Sequence, residues 1–153
     1  MDKLQELNLP EFSFNYRLYK GKRQILDIVR KKYVSLTPEE WVRQNFVAWL
    51  IQFKKYPSGL IAIEKELLLN NMRKRYDIVV YNSNHIPAML IECKAPGVPI
   101  TQKVFDQAAR YNMSVKVGHM IITNGIDHYY CTIDSENGSF AFEDQVPEYD
   151  KLF

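Results

Sequence analysis

Two cysteines in 153 residues, Cys93 and Cys131, form neither a disulfide framework nor a metal-ligand pair. No apolar run approaches the roughly 20 residues that a membrane-spanning helix requires. The opening stretch, MDKLQELNLPEF, has no apolar signal-peptide core. Excess charge is missing too. Twenty Lys and Arg against 18 Asp and Glu leave a net charge of +2, which argues against a histone-like or basic-tail protein. Neither a Gly-rich phosphate loop nor a Ser-His-Asp order is visible, which counts against a nucleotide motor and a serine hydrolase. His85, His119 and His128 are scattered and suggest no metal site. Internal repeats, low-complexity tracts and linkers are absent. One domain over residues 1–153, in a reducing cytoplasm and away from membranes, is the expectation.

What is present begins with a 46% hydrophobic content, enough for a packed core. Phe12, Phe14, Tyr16 and Leu18 alternate with mostly polar residues and read as a strand. Lys20-Gly21-Lys22 turns into a second strand from Gln24 to Val29, making residues 1–35 an N-terminal hairpin. Thr37-Pro38-Glu39-Glu40 starts a helix that runs to about Lys55, with Thr37 as N-cap and Glu40 completing a capping box. Val42, Phe46, Trp49, Leu50 and Phe53 give it a buried stripe. Strands follow at Leu60 to Leu69, Tyr76 to Tyr81 and Ala88 to Cys93. A second helix spans about Thr101 to Val115, and a short strand lies at Met120-Ile121-Ile122. Residues 131–153 hold closing strands and a tail, with a hairpin around Asn137-Gly138. This order predicts an α/β fold, a mixed sheet with helices packed on it.

The charge is unevenly spread. From Arg17 to Lys32 there are seven cations and one acid, Asp27; after Ile126 there are seven acids and one cation, Lys151. The N-terminal run reads either as a phosphate-facing segment or as a solvated hairpin.

Glu92-Cys93-Lys94 closes the apolar run Met89-Leu90-Ile91. Strand alternation puts Glu92 and Lys94 on one face and Cys93 on the other. If the hairpin closes on Asn84-His85, paired residue numbers sum to 169, so Asp77 faces Glu92 at about 5 Å between Cβ atoms. Two carboxylates so placed repel, and a bound divalent cation removes the conflict. The bland alternative is a structural ion pair of Asp77 with Arg75 or Lys94. Gln107 and Tyr111 share a helix face, with Lys103 one turn earlier. Glu64 and Glu66 alternate and read as an exposed face.

Taken in order, Pro38-Glu39-Glu40-Trp41-Val42-Arg43-Gln44, Arg75-Tyr76-Asp77-Ile78-Val79-Val80-Tyr81, Leu90-Ile91-Glu92-Cys93-Lys94-Ala95-Pro96, Gln107-Ala108-Ala109-Arg110-Tyr111-Asn112 and Ile122-Thr123-Asn124-Gly125 resemble the nuclease domain at the N-terminus of type I restriction enzyme R subunits, within the PD-(D/E)XK superfamily. The resemblance covers about Leu36 to Tyr130 and implies a restriction-endonuclease-like core over residues 36–130. It implies a DNA endonuclease using Mg²⁺ or Mn²⁺, with Asp77, Glu92 and the Cys93 carbonyl as ligands and Lys94 beside the attacking water. Gln107 and Tyr111 match the family's Gln-x-x-x-Tyr element, and Glu40, or else Glu39, its first-helix carboxylate. DNA contacts are expected from Lys103, Arg110, Arg43 and Arg23. Translocase or methylase restriction subunits, or a second copy of the chain, are the expected partners. R subunits continue into a DNA-translocating motor and this sequence does not, so a free-standing relative or a fragment is expected. A DNA-binding or assembly module that keeps the fold without cutting is the rival reading.

Overall fold

The computed structural model describes residues 3–153. Its N-terminal part is a three-stranded antiparallel sheet, β1 (Tyr16–Tyr19), β2 (Lys22–Asp27) and β3 (Lys32–Ser35). Lys20 and Gly21 both take positive φ, +50° and +76°, the conformation a two-residue hairpin turn demands. The expected hairpin therefore has a third strand. Phe12 and Phe14 lie outside β1. Their alternation reports an extended segment with one half-buried face, packed edge-on against Phe53 and Trp41 of the following helix. Alternation without a partner strand makes no ladder.

Helix α1 (Pro38–Phe53) starts as the sequence predicts, with the Thr37 hydroxyl accepting from the Glu40 N–H at 3.0 Å. Val42, Phe46 and Leu50 are fully buried, whereas Phe53 is exposed. Buried Glu40, Arg43, Gln44 and Asn45 join the same helix, so the apolar stripe describes only part of its covered surface.

A six-stranded sheet follows in the order β4 (Ile61–Leu69), β5 (Met72–Tyr81), β6 (Pro87–Cys93), β7 (His119–Thr123), β8 (His128–Asp134) and β9 (Ser139–Glu143). Only β6 and β7 are parallel, joined by helix α2 (Gln102–Val115) as the crossover. β5 begins four residues before the expected Tyr76, because Asn70 and Asn71 supply the paired positive φ of a tight turn. That extension brings Lys74 into the sheet.

The helices cover opposite faces. Val42, Phe46 and Leu50 of α1 pack on Ile63, Ile78, Ile91 and Cys93. Phe105 and Ala109 of α2 pack on Met120, Ile122 and Cys131, while Val115 at its end joins Tyr76, Val79 and Leu90. Burial of such side chains, at about 25 cal/mol per Å² of apolar surface, is the main force holding the layers. Among the described residues, no helix is long and apolar enough to cross a membrane.

Candidate active site

Three pairs of the β5–β6 hairpin have the register the sequence predicts, but the hairpin does not close on Asn84-His85, because a shift after Val80 pairs Tyr81 with Pro87. Ile78 pairs with Ile91, Val79 with Leu90 and Val80 with Met89, and the ladder slips by one only beyond Val80. His85 takes φ +60° in the turn, and the Asn82 carboxamide oxygen accepts from the Asn84 and Ile86 N–H groups. Extended by one step, this register sets Asp77 across from Glu92 at the end of the sheet.

Their side chains nevertheless diverge. Tyr76 packs with Val79 on the α2 side, although strict alternation would set it on the α1 side with Ile78. The break falls at Asp77. On the neighbouring strand Glu64, between the Ile63–Ile78 and Lys65–Tyr76 pairs, has φ +51°. The Asp77 carboxylate accordingly reaches toward α1. Its Oδ1 accepts from Arg43 Nη1 at 3.1 Å and its Oδ2 from the Cys93 N–H at 2.8 Å. Glu92 follows Leu90 to the α2 side, where its Oε1 accepts from Lys74 Nζ at 2.7 Å. The expectation of one shared face for Asp77 and Glu92 is thus corrected, and the alternative of a structural ion pair at Asp77 holds with Arg43 as the partner rather than Arg75 or Lys94.

On the α1 side the sequence builds a closed ionic network. Arg43, with its side chain only 6% exposed, grips Glu40 through Nε at 2.9 Å and Nη2 at 2.7 Å, and also meets Glu64 at 3.2 Å and Asp77. Arg30 binds Asp27 at 2.6 Å, Glu64 at 3.1 Å and Glu40 at 3.3 Å. Gln44 Nε2 donates to both Asp27 and Glu40, leaving its buried Oε1 without a partner. Four carboxylates therefore face two guanidiniums.

Burial opposes every charge here, so the bonds decide the balance. Burial alone would raise Asp27 and Glu40, but bonds from Arg30, Arg43 and Gln44 hold both below the usual carboxylate range. Asp77 goes the other way. Burial lifts it, the Cys93 N–H and Arg43 pull it back, Glu39 and Glu92 add repulsion, and the outcome is upward. Burial also works against the charge of Arg43, which Glu40, Asp77 and Glu64 restore.

The α2 side is more open. The Lys74 ammonium lies 4.7 Å from the Tyr111 ring centroid and 5.2 Å from that of Tyr76, positions that suit cation–π attraction. The buried Tyr76 hydroxyl lies beside that of Tyr111, and burial raises its pKa. Gln107 is exposed one turn before Tyr111, and Lys103 and Arg110 are exposed along the same helix. Lys94 is half-buried just past β6, its N–H donating to the Thr123 carbonyl at 2.8 Å.

Several sequence expectations change meaning. Glu40 gives its backbone N–H to the cap, but its carboxylate belongs to the arginines, so the reciprocal half of the capping box is replaced. Arg43 is committed to three carboxylates and is unsuited as a phosphate contact. Glu64 is a network member rather than part of a plain solvated face. Lys74, Tyr76, Arg30 and Asp27 were not singled out by sequence as site residues. For the arginine clamp, the spacing Glu40-Arg43-Gln44, i to i+3 and i+4, was the available signal.

An open cleft of about 760 Å³ runs beside the network. Glu39, Glu40, Arg43 and Glu64 line it together with Ala95 and with Gln24, Lys32 and Tyr33 of the N-terminal sheet. Among the described residues, no three His, Cys, Asp or Glu side chains form a ready-made metal cage. A hard cation here would draw on Asp77, Glu92, main-chain oxygen and water, a donor set compatible with Mg²⁺, which keeps several waters.

A comparison with curated proteins finds no match. A family model does match, over residues 38–147, which takes in α1, all six strands of the large sheet and α2. The match starts within two residues of the stretch singled out from sequence and runs past Tyr130 to include β9. With more than two thirds of its length so matched, the chain belongs to the type I restriction enzyme R protein N-terminus family.

Proposed function

We propose that this domain is a PD-(D/E)XK-type nuclease that hydrolyses DNA phosphodiester bonds with the help of Mg²⁺ or Mn²⁺. The observation that carries the reading is the Asp77 carboxylate on the Cys93 N–H, which ties it to the strand end carrying Glu92 and Lys94. Asp77, Glu92 and the Cys93 carbonyl would hold the cation, which requires the Glu92 carboxylate to leave Lys74 and turn at the strand end toward Asp77. When bound, it supplies Lewis acidity and a water of lowered pKa. The donors are hard oxygens of the kind Mg²⁺ takes, with Asp77 now bonded to Arg43 and Glu92 to Lys74.

The chain's own residues do the rest. Lys94 makes no ion pair or side-chain hydrogen bond among the described residues, so its ammonium is available to orient an attacking water and to meet charge on the phosphate. Tyr111 flanks Lys74, and Lys74 holds Glu92, so the helix that carries Gln107 and Tyr111 sets the Glu92 carboxylate. Lys103 and Arg110 would contact phosphates without reading sequence. DNA and other restriction subunits are the partners this reading implies.

A second reading has an observation of its own. Arg43 and Lys74 already neutralise Asp77 and Glu92 from within, as a DNA-binding or assembly module that does not cut would require. Plasmid cleavage by wild type and Lys94→Ala, with Mg²⁺ or Mn²⁺ and with EDTA, separates the two. The expected result is metal-dependent nicking that falls at least about 100-fold in Lys94→Ala, the scale of losing a charge-stabilising group. Equal cleavage by both proteins rejects the assigned site. No cleavage by either, with DNA binding intact, supports the non-cutting module.

A further inference from the structure

The N-terminal sheet lies outside the matched family segment and its role is unassigned. From Tyr16 to Lys32 its only acid is Asp27, which is buried and bonded to Arg30 and Gln44. Arg17, Lys20, Lys22, Lys31 and Lys32 are all exposed. Every residue of β1 is exposed as well, including Tyr16 and Tyr19.

The strand register sorts these side chains. Ile25 and Asp27 are fully buried, so their face of β2 is turned inward. The opposite face carries the cross-strand row Arg17, Gln24 and Ser35, with Tyr19 and Tyr33 beside it. The Arg17 guanidinium donates to the Gln24 Oε1 at 2.7 Å. It lies 4.3 Å from the Tyr33 ring centroid and 5.2 Å from that of Tyr19, and the Lys20 ammonium sits 5.3 Å from Tyr19. This is a cationic, aromatic surface held in place by a sheet. Gln24, Tyr33 and Ser35 also line the cleft that reaches Glu39, Glu64 and Ala95.

Charge supplies the second half of the argument. A phosphodiester approaching the Asp77–Glu92 strand end meets an acid-rich network, and like charges repel. A neighbouring cationic surface lowers that cost and guides the backbone in. We propose that β1–β3 is a binding platform for single-stranded DNA, with bases stacked on exposed Tyr19 and half-buried Tyr33 and phosphates met by Arg17, Lys20 and Lys22. Stacking on an exposed tyrosine needs an unpaired base, since a duplex hides its base faces. The proposal deepens the nuclease reading by naming an unpaired flank as the substrate part that enters the cleft from this side.

The test measures binding in EDTA, so that cutting plays no part. Fluorescence anisotropy with a labelled oligothymidine and with a duplex of equal length is read for wild type, for Tyr19→Leu/Tyr33→Leu and for Lys20→Gln/Lys22→Gln. Circular dichroism melting checks that each variant is folded. Wild type should prefer the single strand. The double leucine variant should lose about tenfold or more in single-strand affinity with an unchanged salt slope, given the usual energy of base–aromatic stacking. The double glutamine variant should flatten the slope by about 0.7 per lost phosphate contact. Equal affinity for duplex and single strand, or folded leucine variants that bind like wild type, overturns the platform. Loss of cleavage in Lys94→Ala with this binding intact bears on the nuclease reading alone.

Discussion

Asp77 and Glu92 stand at the same end of adjacent strands, yet their surroundings differ in kind. Asp77 enters a network in which Arg43 is 6% exposed and touches three carboxylates. Glu92 has one partner, Lys74, and the two side chains are 20% and 37% exposed. In the first case the buried Arg43–Glu40 pair has little solvent to replace a missing partner, although Asp77 itself is 24% exposed. In the second, water screens the pair and can stand in for either member. The difference between the halves therefore lies in the cations, a buried Arg43 against a half-exposed Lys74.

Removing Arg43 is the strongest way to break this contrast. Arg43→Met leaves Glu40, Glu64 and Asp77 short of a cation, and breaking a buried pair from one side costs about 3–5 kcal/mol. Urea unfolding should show that loss as a lower midpoint. A change under about 1 kcal/mol would mean that water reaches the network and that the two halves are alike.

pH sharpens the comparison within the network itself. Asp27 and Glu40 are held below the ordinary carboxylate range, so their contribution is present above that range and is lost as pH falls through their lowered values. Asp77 is raised, so the folded state takes up its proton before the unfolded chain does, and this group alone favours folding as pH falls. Asp77→Asn should therefore be most favourable relative to wild type near neutrality, with the advantage shrinking as pH drops through the carboxylate range. Melting temperatures of both proteins from pH 7 to pH 3 report it. A gap that widens toward acid would reverse the assigned sign.

The smallest effect belongs to the open half. Lys74→Met breaks a partly exposed pair, worth within about 1 kcal/mol, while keeping an unbranched side chain over Tyr111. Thermal melting should barely move. A loss as large as that of Arg43→Met would show that the Glu92 side is as closed as the Asp77 side.

Much of this was legible in the chain alone. Thr37-Pro38 and the apolar spacing after it placed α1; Asn82 to Pro87 placed a turn; and the sum of 169 held through Val80–Met89. These are local or nearest-neighbour properties, set by capping chemistry, turn composition and strand period. The direction in which Asp77 points was not of this kind. It depends on Glu64 adopting a positive φ on the next strand and on an arginine from a helix 34 residues earlier, neither of which alternation can see. Lys74 is hidden because apolar alternation marks β5 only from Tyr76, although Asn70-Asn71 signals the turn that extends it.

Sequence by itself determined the element order, the α/β class and the placing of Asp77 and Glu92 at the same end of β5 and β6, because backbone period and turn preference act over a few residues. Only the tertiary structure decided which cation each carboxylate meets. It also set the N-terminal sheet against the cleft and made Arg43 an internal clamp rather than a surface contact. Those outcomes follow from packing α1 on the large sheet with Asp27 and Arg30 bonded to its Gln44 and Glu40, which brings partners far apart in the chain within a hydrogen bond of one another.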